Sequence, residues 1–454
     1  MSRLIMQNHG NRLIVGEDEN TERQLIRMMN SDNHRLVEEA CSLSNLSVSL
    51  LQVVATMAYG SDNMVKKMLT PDVLRSLEKL FILKNPESSF WVQRLALVAV
   101  GNLGFWRENR PILVNSKSLR ELLMCRTATP EPRVNKGAAR ALPIFGENEC
   151  LRHAIRGRPV PKRGICILSL DGGGMKGLAT VQILQEIEKG TGKRMHELFD
   201  LICGTSTGGI FAAALGIKSM SADQLEEIYR NLGKVVFSEP VPKNNKGSSW
   251  RNKLDRLYRS SSQNFRVVAK GSKDMCADED GDDLLIETAV KNIPKVCLVS
   301  TLASVTPAQH FVFQNYQYPV EMPEASLATS ESSGTTVPGS AATDTQSILS
   351  APYYLDDFSD GVYRWLDGAL LANNPTIFST REAQLLWPDT KIDCIVSIGS
   401  GSLPTKARKG GMELDETDPT FRLNLEAATK DYIEKISESF KNACERLLVP
   451  FKNG

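Results

Sequence analysis

Histidine is scarce in this chain, and its distribution excludes the commonest serine-hydrolase arrangement. Five histidines occur among 454 residues, at positions 9, 34, 153, 196 and 310. In the α/β-hydrolase order the histidine comes last, after the acid, yet no histidine follows residue 310. The chain also lacks any CxxC pair. Its nine cysteines are scattered, and several, such as Cys166 and Cys203, sit inside apolar runs. That usage suits reduced core thiols in a reducing compartment rather than a disulfide framework. No stretch of ~20 residues is free of polar breaks, so no membrane span is expected. The N-terminus "MSRLIMQNHGNRL" has no apolar run of signal-peptide length. An excess of either charge is missing too: 54 Lys and Arg stand against 53 Asp and Glu, a net charge of +1. Nucleic acid is therefore not an expected partner, and a cytoplasmic chain is expected.

What is present falls into segments. Residues 1–32 read as disordered or partly helical. From 33 to 155 the apolar residues recur at helical spacing, with Pro, Gly and Asn at the breaks. Val54, Met57, Tyr59, Asn63, Met68, Val73 and Leu77 precede Val100, Leu103, Phe105, Asn109, Val114, Leu119 and Leu123 by 46 residues each. A weaker echo of Val92, Ala96, Ala99 and Leu103 follows 42 residues later at Val134, Ala138, Ala141 and Phe145. A period in the forties is that of armadillo or HEAT repeats, which stack because no unit buries its apolar face alone. An unrelated helical bundle is the plainer alternative. This segment carries no titratable cluster, so scaffolding or a protein partner is expected of it. Residues 156–163, "RGRPVPKR", read as a linker.

From 164 to 411 the pattern becomes that of an α/β domain. "ICILSL" is a continuous apolar strand, and helical stretches then alternate with "VCLVSTLA" and "DCIVSIG". Continuous rather than alternating apolar strands imply a buried, mostly parallel sheet. Within it, residues 326–350 are mostly Ser, Thr, Gly and Ala and read as a low-complexity loop. Residues 412–454 return to helix, with Leu423, Ile433, Ile436, Phe440, Cys444 and Leu447 on one apolar face.

Three motifs in the α/β segment carry chemistry. The stretch Gly204-Thr205-Ser206-Thr207-Gly208 lies between a strand and a helix, as a nucleophile elbow does. Gly204 and Gly208 let the neighbouring backbone pass without Cβ clashes. Ser206 alone could equally be the N-cap of the next helix. Upstream, "LDGGGMKG" places Gly172, Gly173, Gly174, Met175 and Gly177 ahead of a helix starting near Leu178. Uncovered amides at a positive helix end suit an oxyanion. The same letters form GxGxxG, a dinucleotide signature, but the acid wanted at the end of the second strand is replaced by GTSTGG. Downstream, Asp367 in "RWLDGALLANNP" precedes a glycine, which by itself marks a turn. Beside the other two motifs it supplies a base for Ser206. His196 sits before the "LFDLIC" strand, at the end away from the elbow, and reads as structural.

In this order, DGGGMKG (171–177), GTSTG (204–208) and DGA (367–369) resemble the patatin-like phospholipase family. The likeness covers about residues 164 to 405. It implies a three-layer domain with a mostly parallel sheet and a catalytic dyad of Ser206 and Asp367. It also implies an oxyanion hole in the glycine-rich loop, and lipid ester hydrolysis through an acyl-enzyme. With helical repeats ahead of it, the chain is most similar to the plant phospholipase A I type within that family. Membrane phospholipids or galactolipids are the expected substrates, reached as a peripheral protein, with no cofactor and no metal. Two junctions, ahead of Ala351 and after Gly411, read as skipped segments relative to the family. They keep open a second reading, a catalytically impaired form acting as a repeat-based binding or regulatory protein.

Two further stretches carry alternatives. Residues 243–259 form a basic segment with Trp250, Leu254, Leu257 and Tyr258 at helical spacing. It suits either an anionic lipid surface or packing on the sheet. Asp278, Asp280, Gly281 and Glu287 echo EF-hand spacing, but Cys276 would occupy the first ligand position. That run reads as a solvated loop.

Overall fold

A computed structural model describes residues 51–52, 55, 65, 68–81, 89–148, 150–151, 164–237, 293–319, 358–359, 363–400 and 419–452. The N-terminal 32 residues, the linker 156–163, the loop 326–350, the basic stretch 243–259, the EF-hand-like run and the two junctions lie outside these residues. The chain divides into two compact units. One comprises Met1–Pro159, Ala289–Asn292 and Tyr316–Met322, and the other holds the remainder.

The first unit is helical where it is described. Its helices are α1 (Pro71–Phe81), α2 (Ser89–Leu103), α3 (Arg110–Asn115), α4 (Lys117–Thr127) and α5 (Pro132–Phe145). Of the recurring apolar positions, Met68, Val73, Leu77, Val100, Leu103, Leu119, Leu123, Val134, Ala138, Ala141 and Phe145 are buried, whereas Phe105 and Val114 are half-buried. Asn109 is buried as well, and its amide donates to the Val65 and Leu103 carbonyls at 3.3 and 3.0 Å. A buried amide satisfied in this way ties the start of α3 to the end of α2 and to Val65. Gly146 ends α5 in the left-handed conformation at φ 83°.

The second unit is built on a seven-stranded mixed sheet in the order β5-β6-β3-β2-β1-β7, with β4 added to β3. The strands are β1 (Ile165–Leu170), β2 (Leu201–Thr205), β3 (Lys295–Leu302), β4 (Gln309–Gln314), β5 (Phe358–Ser359), β6 (Arg364–Asp367) and β7 (Ile392–Ile398). β7, β1, β2 and β3 are parallel, whereas β4 and β6 run antiparallel to β3. β1 and β2 are buried along their whole length, which is why they are apolar at successive residues.

Helices cover both faces of the sheet. On one, Cys166, Leu168 and Leu170 join a core with α6 (Gly177–Thr191), α9 (Ala222–Phe237) and α13 (Ser437–Lys452). Between these in the chain lie α7 (Met195–Leu198) and α8 (Thr207–Ala212). α6 packs through Leu178, Val181, Leu184 and Ile187 at helical spacing. On the other face Ser169 meets Thr376, the first residue of α11 (Thr376–Leu386), which follows the short α10 (Ala369–Ala372). The last helices are α12 (Pro419–Lys435) and α13. Their apolar face differs from the expected one at one position. Leu423 is exposed, and Leu425 packs against the core instead.

Candidate active site

Register on β3 brings the candidate residues together. β2 pairs with Lys295 to Val299 of β3 and ends with Thr205 opposite Val299. β6 pairs with Leu302 to Ser300, running the other way, and ends with Asp367 opposite Ser300. β4 pairs with the opposite edge from Cys297 to Leu302, overlapping both stretches. The two strands therefore share one edge of β3 and meet end to end, with Ser206 and Asp367 at the junction. Ser206 Oγ donates to Asp367 Oδ2 at 2.7 Å.

Ser206 sits at φ 53° and ψ −125°, one of two non-glycine residues with positive φ among the described residues. That conformation is strained for an L-residue, and the surrounding turn enforces it. A Cβ on Gly204 would run into the Gly208 carbonyl, and one on Gly208 into the Leu170 carbonyl. β2, the elbow and β1 thus approach more closely than any side chain would allow. The Ser206 carbonyl accepts from Gly209 and Ile210, which starts α8 directly behind the hydroxyl. Ser206 Oγ makes no capping bond to α8.

Asp367 is 4% exposed. Its Oδ1 accepts from the Ala369 amide at 2.8 Å. Its carbonyl accepts from Thr301 Oγ1 at 3.0 Å, and the Leu366 carbonyl from Ser300 Oγ at 2.8 Å. Burial pushes its carboxyl above the usual aspartate range, opposed by the Ala369 amide and the Ser206 hydroxyl. Trp365, two residues earlier, anchors β6. Its ring lies 5.9, 5.7 and 5.8 Å from those of Phe311, Phe313 and Tyr363.

The glycine turn follows β1. Gly174 is at φ 52°, and Gly174–Lys176 form a single 3-10 turn that leads into α6. Gly172 is wedged against the elbow: a Cβ there would lie 2.9 Å from Ser206 Cβ and 2.6 Å from Asn373 Oδ1. Gly177 is equally confined, with Thr207 Cγ2 2.8 Å from where its Cβ would stand. Gly173 would meet Ser400, and Met175 lies within the 3-10 turn.

Sequence reasoning did not single out the groups that hold this turn. Asn373 and Ser400 both donate to the Gly172 carbonyl, at 3.2 and 3.0 Å. The buried Tyr229 hydroxyl donates to the Gly174 carbonyl. The Asn-Asn-Pro run after α10 was the signal available for Asn373. His196 lies on α7, ahead of β2, and burial lowers its pKa. Among the described residues no cluster of three or more His, Cys, Asp or Glu could hold a metal ion. No described helix is long and apolar enough to cross a membrane.

The domain thus joins a mixed, mostly parallel sheet to a serine on a strained strand-to-helix turn whose hydrogen-bond partner is a buried carboxylate. Residues 168–378 match the family model described as patatin-like phospholipase. The chain is 53% identical to Phospholipase A I of Arabidopsis thaliana over 99% of its own length and 42% of the relative. It is 38% identical to human calcium-independent phospholipase A2-gamma, over 55% of this chain and 30% of that one. The cGAMP-activated phospholipase of Vibrio cholerae is 29% identical over 53% of this chain and 65% of its own. The chain thus spans less than half the length of the first two. The alignment with the Arabidopsis protein extends over 560 residues while this chain has 454, so at least 106 aligned positions have no counterpart here.

Proposed function

We propose that the chain is a serine acyl hydrolase that releases fatty acids from membrane phospholipids or galactolipids through a Ser206–Asp367 dyad. One observation carries the reading: the 2.7 Å hydrogen bond from Ser206 Oγ to a buried Asp367 that is itself held by the Ala369 amide. A carboxylate whose pKa is raised by burial is a stronger base toward a hydroxyl than a solvated one.

In the first half-reaction Ser206 Oγ attacks the ester carbonyl and its proton passes to Asp367. The amides of Gly173 and Gly174, with that of Met175, receive the oxyanion; one such donor is worth ~3 kcal/mol of barrier in a well-studied protease. Collapse of the tetrahedral intermediate expels the lysolipid alcohol, which takes the proton from Asp367. Water then attacks the acyl-enzyme with Asp367 again as base, Ser206 Oγ departs and takes that proton back from Asp367, and the fatty acid leaves. Gly204 and Gly208 hold the elbow, and Gly172 and Gly177 the approach of the glycine turn. No step needs a metal.

Access to lipid is proposed to be peripheral, on the cytoplasmic side. Leu370, Leu371 and Ile377 follow Asp367 within ten residues and are 51, 50 and 79% exposed, an apolar rim suited to acyl chains. The helical segment 33–155 is proposed as an armadillo-like repeat for a protein partner, 156–163 as linker, 164–411 as the catalytic domain and 412–454 as its helical closure.

The missing aligned positions favour a second reading, an impaired form that binds through its repeats. Ile395 on β7 is 40% exposed, as expected of a sheet edge with incomplete cover. A fluorophosphonate probe separates the two. Labelling of the wild type that disappears in Ser206→Ala supports the hydrolase, and no labelling of either supports the impaired form.

A further inference from the structure

We propose that Asn373 is a positioning residue that aims the glycine-turn amides at the oxyanion, with Ser400 as its second support. The inference rests on the hydrolase reading above and adds what orients its oxyanion donors.

Asn373 grips the Gly172 residue from both sides. The Gly172 N–H donates to the Asn373 carbonyl at 3.2 Å, and Asn373 Nδ2 donates back to the Gly172 carbonyl at 3.2 Å. Ser400 Oγ gives that same carbonyl a second donor at 3.0 Å. A trans peptide is planar, with its C=O and the following N–H on opposite sides. Two donors on the Gly172 carbonyl therefore fix the direction of the Gly173 N–H. The next peptides are fixed in the same manner: the Gly173 carbonyl accepts from the Lys176 N–H at 3.1 Å, and the Gly174 carbonyl accepts from Tyr229. Each of the three candidate oxyanion amides thus has its peptide plane held through the carbonyl behind it.

The site needs such a device. A glycine-rich turn has little intrinsic preference for one orientation of its peptides, and an oxyanion hole works only when its dipoles are set before charge develops. Asn373 also lies six residues after Asp367, on the segment that leaves β6. The element that carries the base therefore holds the turn that carries the oxyanion donors. Asn373 is an exposed side chain, so its truncation removes the Nδ2 donor to the Gly172 carbonyl without opening a core, and leaves the main-chain bond from the Gly172 N–H in place.

The test uses the full chain as wild type, Ser206→Ala, Asn373→Ala and Ser400→Ala. Hydrolysis of a fatty acyl ester is measured with two ligands. One is an acyl trifluoromethyl ketone, whose carbonyl carbon bonds to Ser206 Oγ while its oxygen becomes the oxyanion and the serine proton passes to Asp367. The other is the matching ether, which cannot react. Asn373→Ala is expected to lower kcat by about ten- to a hundredfold, as a misplacement of about 1 Å does, with KM unchanged. Ketone affinity should fall by the same factor and ether affinity stay constant. A kcat equal to wild type overturns the inference. So does parallel loss of both ligands with a rise in KM, which marks general damage. Should Asn373→Ala not fold, Ser400→Ala carries the test, and a wild-type kcat in that variant overturns it. A wild type that neither hydrolyses ester nor takes up the fluorophosphonate overturns the hydrolase reading together with this one. A labelled wild type with an indifferent Asn373→Ala overturns this one alone.

Discussion

Replacing Asp367 by asparagine separates what this residue does for chemistry from what it costs the fold. The carboxylate is almost fully buried, with the Ala369 amide on Oδ1 and the Ser206 hydroxyl on Oδ2 as its hydrogen-bond partners. Asparagine keeps the shape and the acceptor for Ala369, and its Nδ2 can donate to Ser206 Oγ, so the contact survives with the proton reversed. The proposed base, however, is gone. Ester hydrolysis is expected to fall by about 10³-fold or more, within the range for loss of a general base or its proper protonation.

Stability should move the other way. Burial raises the folded-state pKa of Asp367 above its ordinary value, so the folded state holds the proton more tightly than the unfolded chain does. The wild type carries no penalty below the unfolded value and loses stability as pH rises through the folded value. The amide that replaces the carboxyl is neutral at every pH, so Asp367→Asn should be the more stable protein at pH 7. The gain should be read as a higher thermal midpoint at pH 7. The advantage should shrink as pH falls. The assay is a thermal midpoint at several pH values beside fatty-acid release from vesicles. A lower midpoint for Asp367→Asn at pH 7 would show that the two hydrogen bonds to the charged form outweigh its burial. Retained hydrolysis would refute the dyad.

Other expectations follow from single contacts. Gly208→Ala drives a Cβ into the Leu170 carbonyl and should destabilise the second unit by about 3 kcal/mol or more, as overpacking does; a thermal midpoint within a degree of wild type would contradict it. Trp365→Ala empties the ring cluster that anchors β6 and should cost about 3–5 kcal/mol, with hydrolysis reduced because Asp367 rides on that strand. Denaturant titration read beside activity checks both. Hydrolysis should persist in EDTA, since the proposed mechanism uses no metal; a loss that added calcium reverses would sink that mechanism.

Much of the second unit was legible in one dimension. "ICILSL" reads as a strand and is one, Ile165–Leu170, because a strand covered on both faces must be apolar at every residue. The tight turn around Ser206 was legible because only glycine tolerates the crowding at 204 and 208, so steric demand left a mark in the letters. Leu423 shows the limit of such reading. Helical spacing put it on the buried face, yet Leu425 packs against the core, since periodicity says which residues share a face and not which face finds a neighbour. The sequence by itself determined the residue types available for chemistry: a serine between glycines, an aspartate before a glycine and no late histidine. Only the tertiary structure decided that they meet. Ser206 and Asp367 are 161 residues apart, and what joins them is that β2 and β6 run toward each other along one edge of β3. Strand register is set by pairing between distant segments, and no local pattern in the chain records it.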